Sequence, residues 1–199
     1  MNTANKLTIF RVVLIPLIVL VYIFPYNQFG ITIGYFTIDS VILSYKNVAI
    51  LVLFLIASFT DFLDGYLARS RDMITTFGKF LDPIADKLLV NTLFILFAYE
   101  GLVPVVAVLI MIWRDTVVDA IRMLLAQQGM VMAAGYLGKA KTVLQMVAIV
   151  LVLLNNLPFE LQGIPVASIV VWFATLMSLL SGISYVLQSR TYFTNELGN

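Results

Sequence analysis

Six long apolar runs dominate the pattern of hydrophobic and polar positions in this 199-residue chain. Each run is close to the roughly 20 residues that an α-helix needs to cross the hydrocarbon core of a bilayer. Pro, Gly, Asn or charged residues separate one run from the next, as expected for connections between helices. The pattern predicts an all-α, polytopic membrane protein, a single domain of residues 1–199, with transmembrane helices near 8–25, 47–68, 84–100, 103–125, 140–157 and 164–187.

The composition agrees with a membrane protein and narrows the chemistry open to the chain. Hydrophobic residues make up 61% of it and charged residues 12%, whereas soluble domains contain about 25% charged residues. The sequence contains no Cys and no His. Disulfides, thiolate catalysis, a Ser-His-Asp triad and the usual zinc sites are therefore excluded. Any catalysis has to use carboxylates, amines or a hard metal ion.

Positive charges lie almost entirely on one side of the predicted six-helix topology. Of the 12 Lys and Arg residues, only Lys46 falls on the other side. The positive-inside rule then predicts that both termini and the segments 69–83 and 122–140 face the cytoplasm, in the cell (inner) membrane. The connection 26–46 faces outward, where we expect a partly structured loop. The charges on the cytoplasmic side are Lys6, Arg11, Arg69, Arg71, Lys79, Lys87, Arg114, Arg122, Lys139, Lys141 and Arg190.

Acidic residues interrupt the second and third apolar runs. Asp61 follows Lys46 by fifteen residues, which is about 22 Å along a helix that rises roughly 1.5 Å per residue, so it lies below the membrane surface. Asp61 and Asp64 have i, i+3 spacing, which places both on one helix face. Asp82 and Asp86 have i, i+4 spacing and share a face in the same way. Two helices joined by a short loop can therefore bring four carboxylates together at the cytoplasmic end.

Four neighbouring carboxylates need cations to balance their charge. All-oxygen ligation without His or Cys favours Mg²⁺, with Mn²⁺ as a substitute. Two such ions about 3.5–4 Å apart form the recurring clamp of phosphoryl chemistry. Two alternatives stay open. The acids could line a path for protons or cations, as in a transporter, or they could form salt bridges with Arg69, Arg71, Lys79 and Lys87.

The same acids belong to a longer motif, Asp61-x2-Asp64-Gly65-x2-Ala68-Arg69-x8-Gly78-x3-Asp82-x3-Asp86. At every position this motif resembles the signature of the CDP-alcohol phosphatidyltransferase family. The resemblance extends to most of the chain. It implies six transmembrane helices with a cytoplasmic site, a homodimer in the lipid bilayer and no nucleic-acid partner. It also implies metal-assisted transfer of the phosphatidyl group of CDP-diacylglycerol to an alcohol, with release of CMP.

The resemblance implies a role for each matched residue. Asp61, Asp64 and Asp82 correspond to metal ligands. Asp86 corresponds both to a ligand of the second ion and to the general base of the reaction. Contacts to CDP-diacylglycerol are implied for Gly65, Ala68, Arg69 and Thr75, and the nucleotide pocket is one interpretation of Asn5 and Thr8. An equally good interpretation of those last two residues is a capped helix start.

Four cations outside the motif bear on the choice of acceptor: Arg114, Arg122, Lys139 and Lys141. Arg122 follows Arg114 by roughly two helical turns and shares nearly the same face. These cations favour an acceptor that carries a phosphate. Together with the resemblance, they imply sn-glycerol 3-phosphate as the acceptor and phosphatidylglycerophosphate as the product. They are alternatively interfacial anchors, and inositol phosphate, serine and phosphatidylglycerol remain alternative acceptors. Asp115 stands where the resemblance leads us to expect Glu, and its role is left open.

Overall fold

The computed structural model describes the backbone of residues 3–70, 76–127, 129–130 and 135–193. Side chains are described in the same ranges except at 3–4, 64–70, 76–80, 83 and 191–193. The prediction of a mainly helical chain is confirmed there. The described α-helices are α1 (Thr3–Ile23), α2 (Tyr45–Ser70), α3 (Thr76–Tyr99), α4 (Val105–Gln127), α5 (Tyr136–Leu153) and α6 (Val166–Phe193).

The helices extend beyond the apolar runs where polar residues continue them. The fifth helix begins at Tyr136, before the predicted start at 140, because Lys139 and Lys141 are compatible with a helix although they are not apolar. It ends at Leu153, before the predicted end at 157. Asn155 and Asn156 follow with left-handed backbone angles of φ 50° and 63°, which stop a right-handed helix.

Four of the described helices contain segments that are long and apolar enough to cross a membrane. These segments are Asn5–Ile23, Tyr45–Leu63, Tyr136–Leu153 and Val166–Arg190. The protein is therefore embedded in a membrane. The other two helices, α3 and α4, contain 24 and 23 residues and carry the ionisable side chains Asp82, Asp86, Lys87, Arg114, Asp115, Asp119 and Arg122. These charges interrupt the apolar sequence of the two helices. The described part of the chain therefore contains six long α-helices, four of which qualify as spans by composition.

The connection between α1 and α2 contains a β-hairpin that the all-α prediction did not include. A short 3-10 helix, Tyr26–Phe29, precedes strands β1 (Tyr35–Ile38) and β2 (Val41–Ser44). The strands pair antiparallel, and a two-residue turn joins them, with Asp39 at φ 50°. Val41 and Leu43 are buried while Ile42 between them is exposed, the alternation typical of a strand with one covered face. The expected partly structured loop is thus a hairpin.

The chain divides into two compact units. Unit 1 comprises Met1–Leu96 and Ile149–Pro165. In unit 1, α1 packs along α2, and Ile18 of α1 and Ile50 and Phe54 of α2 are almost fully buried. One turn further, near the end of α1 and the start of α2, the Lys46 Nζ lies 4.6 Å from the centre of the Tyr22 ring.

Unit 2 comprises Phe97–Ala148 and Val166–Asn199. Its main described contact is between α4 and α6. Met111 and Val118 of α4 and Val171 and Ala174 of α6 are at most 1% exposed. Tight apolar packing therefore fixes α4 against α6, and each helix presents its polar residues within that framework.

Candidate active site

In unit 1, a buried arginine on α1 contacts the first acid of the motif on α2. The Arg11 Nη1 lies 2.7 Å from the Asp61 Oδ1; the arginine side chain is 0% exposed and that of Asp61 is 42% exposed. A charged side chain within a membrane helix costs about 2.5–3.5 kcal/mol unless it is paired or reaches water. The ion pair accounts for the burial of Arg11 while leaving a large part of the Asp61 side chain accessible.

A second contact joins α1 to the third acid of the motif, on α3. The Thr8 Oγ1 donates a hydrogen bond to the Asp82 Oδ1 at 2.7 Å. Thr8 is buried, with 1% of its surface exposed, and Asp82 is partly exposed. Because Thr8 and Arg11 lie one turn apart on α1, their contacts bring Asp61 of α2 and Asp82 of α3 to the same face of that helix.

The remaining motif residues divide by how far the structure describes them. Asp86 lies one turn after Asp82 on α3 and is partly exposed. Asn5 lies one turn before Thr8 on α1 and is buried. The backbone places Asp64, Gly65, Ala68 and Arg69 on α2 and Gly78 on α3. The side chains of Asp64, Ala68 and Arg69 are not among those that the structure describes. Thr75 lies outside the described residues altogether, as does Arg71.

The ion pair of Asp61 with Arg11 is one that the sequence analysis missed. The salt bridges expected from sequence, as an alternative to a metal site, involve Arg69, Arg71, Lys79 and Lys87. Of these four residues, only Lys87 has a described side chain. The signal was nevertheless present. Arg11 is a charge inside an otherwise apolar run, and such a residue requires an acidic partner on a neighbouring helix.

In unit 2, three of the charged residues form one buried network. The Lys141 Nζ donates hydrogen bonds of 2.6 Å to both carboxylate oxygens of Asp115, and the Arg114 Nη1 donates one of 2.9 Å to the Asp115 Oδ1. Lys141 and Asp115 are 4% and 5% exposed. The Arg114 Nη2 donates a further hydrogen bond to the Ser181 Oγ on α6. Asp115 is therefore the common acceptor of two cations.

Two glycines make room for the Arg114 side chain. A Cβ atom at Gly182 would lie 3.0 Å from the Arg114 Cγ, and one at Gly138 would lie 3.4 Å from its Nη2. Gly182 belongs to α6 and Gly138 to α5. The small residues thus allow both helices to approach the arginine closely, which explains its low exposure.

The other two cations of the predicted acceptor set lie apart from this network. The Arg122 Nε donates a hydrogen bond of 3.0 Å to the Tyr185 hydroxyl, and the guanidinium lies 5.2 Å from the same ring. Lys139 is exposed, and its Nζ lies 5.9 Å from the Tyr136 ring. Two of the four cations therefore pair with one acid, and the other two lie near aromatic rings.

Comparison with known proteins places this chain in a family. The model of the CDP-alcohol phosphatidyltransferase family matches residues 1–180, which is most of the chain. The chain belongs to this family. The resemblance seen in the motif is thereby confirmed, and the protein is a membrane-embedded CDP-alcohol phosphatidyltransferase.

Several relatives within the family share one name, CDP-diacylglycerol–glycerol-3-phosphate 3-phosphatidyltransferase. The chain is similar to the one from Bacillus subtilis (strain 168), with 40% identity over 92% of this chain and 93% of the relative. The relative from Rickettsia typhi is 33% identical over 96% of this chain and 99% of its own length. The relative from Escherichia coli (strain K12) is 32% identical over 95% of both. The similarity therefore spans both units.

Members of this family generally depend on a divalent metal ion, and the donor chemistry of this chain fits one. Asp61 and Asp82 offer hard oxygen atoms, the ligands that Mg²⁺ and Mn²⁺ prefer. Among the described side chains, which leave out Asp64, no group of three acids lies close enough to hold an ion. Asp61, Asp82 and Asp86, whose side chains are described, thus do not form such a group by themselves.

Proposed function

We propose that this chain transfers the phosphatidyl group of CDP-diacylglycerol to sn-glycerol 3-phosphate, giving phosphatidylglycerophosphate and CMP. The observation that carries the proposal is the 40% identity to the Bacillus subtilis relative of that name over 92% of this chain. Similarity of that extent includes the region of α4 and α5, where the cations that favour a phosphorylated acceptor lie. The activity belongs to phospholipid synthesis.

The proposed metal site consists of Asp61, Asp64, Asp82 and Asp86, which would hold two Mg²⁺ ions, with Mn²⁺ as a substitute. Bound there, a divalent ion supplies charge neutralisation and orientation of the diphosphate. The contacts of one face of α1 with an acid on α2 and an acid on α3 support this assignment. Oxygen donors alone make the site one for a hard cation.

Asp86 is the residue that we assign to the proton transfer. The 1-hydroxyl of the acceptor attacks the β-phosphorus of CDP-diacylglycerol and passes its proton to the Asp86 carboxylate. The bond between that phosphorus and the oxygen of the CMP group breaks, and CMP leaves with the electron pair. A carboxylate with a reference pKa near 4 is a modest base, so its position beside the hydroxyl has to contribute most of its effect.

The nucleotide and diphosphate of CDP-diacylglycerol would contact residues that precede and follow the first acids. Gly65 and Ala68 leave space for the nucleotide to approach the helix backbone. Arg69 would bind the diphosphate, because a planar guanidinium can donate to two oxygens at once. Thr75 and the buried Asn5 complete the proposed contacts, whereas the hydroxyl of Thr8 is already bonded to Asp82 and is not included among them.

The acceptor phosphate would bind through Arg114, Arg122, Lys139 and Lys141. Two described features support a binding role over a simple anchoring role. Lys141 and Arg114 are held by Asp115 in a buried network, whereas an interfacial anchor needs no acidic partner. Two cations against one acid also leave one net positive charge, which a phosphate can neutralise. A serine acceptor would have no use for that charge.

The proposal places the whole chain in the inner membrane as one domain with six transmembrane helices and both termini in the cytoplasm. At roughly 1.5 Å per residue, the 24 residues of α3 and the 23 of α4 reach about 35 Å, enough for a hydrocarbon core of about 30 Å. The family model covers both units, which supports a single domain. The homodimer is proposed from the family resemblance alone.

A CMP-release assay on the purified protein in lipid nanodiscs tests this function. We expect release that requires CDP-diacylglycerol, Mg²⁺ and sn-glycerol 3-phosphate, and little release with inositol phosphate, serine or phosphatidylglycerol. A preference for one of those acceptors would replace the proposed one. If the protein instead carries cations across the membrane of vesicles and releases no CMP, it is a transporter, and the enzymatic proposal is overturned.

The same assay tests the role of Asp86. Because general-base catalysis contributes about 10²–10⁴-fold, we expect Asp86→Asn to lose at least 100-fold in kcat while some Mn²⁺ binding is retained. Asp61→Asn should lose metal binding as well as activity, and Asp39→Asn, in the hairpin turn, serves as the unaffected control. Near-normal turnover in Asp86→Asn would remove the assignment.

A further inference from the structure

We propose that Thr8 and Arg11 are positioning residues through which α1 holds two metal-binding carboxylates, Asp82 and Asp61, in place. This inference rests on the proposed metal site. It gives a function in catalysis to a helix that precedes the family motif, which begins at Asp61. It also gives Thr8 a task other than contact with the nucleotide.

The placement of these two residues on α1 supports the proposal. They are three residues apart and therefore lie on the same face of the helix, one turn from each other. From that face, Thr8 contacts an acid on α3 and Arg11 contacts an acid on α2. A single helix face thus joins the two helices that carry the acidic motif, and it does so at the acids themselves.

The hydroxyl of Thr8 donates to a side chain on another helix, in contrast to the hydroxyls of three other threonines in described helices. Thr60, Thr116 and Thr175 donate to backbone carbonyls three or four residues earlier in their own helices, which is the common arrangement for threonine in a helix. Thr8 donates instead to a carboxylate that is 74 residues away in sequence. Such a bond restricts the rotation of the Asp82 carboxylate.

Arg11 acts on Asp61 through both charge and direction. The complete burial of its side chain leaves Arg11 little freedom to leave the ion pair. The side chain of Asp61, 42% exposed, would sample several rotamers without such a contact. The ion pair at Oδ1 therefore favours orientations of the acid that keep this oxygen beside the guanidinium.

Groups that orient metal ligands typically change metal affinity by 10–100-fold when they are removed. We therefore expect Thr8→Val, which keeps the shape and removes the donor, to raise the Kd for Mn²⁺ about tenfold. The Kd is measured without substrates, by the loss of the electron paramagnetic resonance signal of free Mn²⁺ in nanodiscs. In the activity assay, the Mg²⁺ concentration for half-maximal rate should rise by a similar factor, while the KM for CDP-diacylglycerol stays within about twofold.

Two further variants separate positioning from general loss of structure. Thr8→Ser keeps the hydroxyl and should restore the Kd for Mn²⁺ to within about threefold of the unmodified value. Thr175→Val removes a buried hydroxyl that bonds only its own helix in the described contacts, and it should leave the Kd unchanged. A raised KM for CDP-diacylglycerol in Thr8→Val, with an unchanged metal requirement, would assign Thr8 to the nucleotide pocket and overturn the proposal.

For Arg11, the direction of the change is decisive. If charge alone matters, the site without the Arg11 cation should bind a metal ion more tightly. If Arg11 orients Asp61, its loss should weaken metal binding. We expect Arg11→Gln to raise the Kd for Mn²⁺, and Arg11→Lys, which keeps the charge without the planar fork, to raise it less. A lower Kd for Mn²⁺ in Arg11→Gln would overturn the positioning role of Arg11. If Arg11→Gln does not fold, an unchanged Kd for Mn²⁺ in Arg11→Lys would overturn it.

These outcomes are distinguishable from failure of the proposed function itself. If the unmodified protein binds no Mn²⁺ and releases no CMP, the metal-dependent transferase activity is wrong. If the unmodified protein binds Mn²⁺ and releases CMP but Thr8→Val binds Mn²⁺ equally well, only the positioning role is wrong. Folding of each variant is checked by thermal unfolding, followed through the fluorescence of Trp113 and Trp172.

Discussion

Asp115 receives hydrogen bonds from cations on two different helices, and almost none of its surface reaches solvent. A carboxylate in that situation is costly to bury alone, and the two cations are costly to bury without it. The three residues therefore depend on one another. Their arrangement also answers the question of whether a shorter acid than Glu can serve at this position, because the Asp115 side chain is long enough to contact both Arg114 and Lys141.

Neutralisation of Asp115 should destabilise the protein strongly. Asp115→Asn leaves the buried Lys141 and the largely buried Arg114 with one amide oxygen. Removal of one member of a buried ion pair costs about 3–5 kcal/mol. For a chain of this size, such a loss lowers the midpoint of thermal unfolding by about 6–20 °C. Tryptophan fluorescence during heating measures it.

The control for this prediction is Asp39→Asn, which changes an exposed acid in a turn where asparagine also tolerates the left-handed backbone. Its unfolding midpoint should stay within about 2 °C of the unmodified value. Equal midpoints for Asp115→Asn and the unmodified protein would contradict the description of the network as an interdependent set.

The contacts of single residues across helices were the part of the site that the sequence could not supply. Helical spacing shows that Asp61 and Asp64 share a face, because that relation lies within one helix. It does not show which helix covers that face. The sequence alone therefore indicates only that Arg11 is one of the cytoplasmic charges. The structure shows that Arg11 forms an ion pair with Asp61. Burial of a charged residue in an apolar run predicts that a partner exists, without naming it.

At the scale of elements, the hairpin and the turn after α5 are connected by one side chain. The Asn155 Nδ2 donates a hydrogen bond of 2.6 Å to the carbonyl oxygen of Ile42 in β2. The neighbouring Asn156 donates to the Glu160 side chain and to the Ile164 carbonyl oxygen, both at 2.7 Å. Both asparagines have left-handed backbone angles. Two adjacent residues thus end α5 and fix the following turn against the hairpin.

Substitutions at Asn155 should separate the hydrogen bond from the backbone conformation. Asn155→Gly removes the bond but keeps the left-handed angle accessible, and for an exposed bond we expect a loss of about 0.5 kcal/mol. Asn155→Ala removes the bond and adds a left-handed cost of about 1–2 kcal/mol. The thermal unfolding midpoint should therefore fall further for Ala than for Gly. An equal fall in the two variants would show that the backbone angle does not contribute.

The hairpin also shows where a reading of apolar runs is insufficient. The segment between the first two helices contains Val41, Ile42 and Leu43, three apolar residues that are too few to predict a strand by length alone. Their alternate burial depends on what covers one face, which is tertiary information. Helices α1, α2 and α6, by contrast, follow from sequence because long apolar runs in a membrane leave the helix as the available single-segment structure.

At the scale of the whole molecule, the distribution of charge and the described helices support the same orientation. Eleven of the twelve Lys and Arg residues fall on one predicted side, and the exception, Lys46, contacts Tyr22 near the hairpin end of α1 and α2. Aromatic residues are typical of the membrane–water interface. The hairpin and Lys46 therefore belong to the outward-facing side in the proposed topology, and the segment before α5 belongs to the cytoplasmic side.

The absence of cysteine from the sequence makes this orientation directly measurable. Single cysteines are introduced by Asp39→Cys, in the exposed hairpin turn, and by Tyr136→Cys, where the side chain is 91% exposed at the start of α5. A membrane-impermeant maleimide should label the first only in right-side-out vesicles and the second only in inverted vesicles. Because the parent chain has no thiol, any labelling reports the introduced position alone. In the proposed topology, α2, α3 and α4 cross the membrane three times between the two positions, which places them on opposite sides. Labelling of both positions from the same side would therefore contradict this topology.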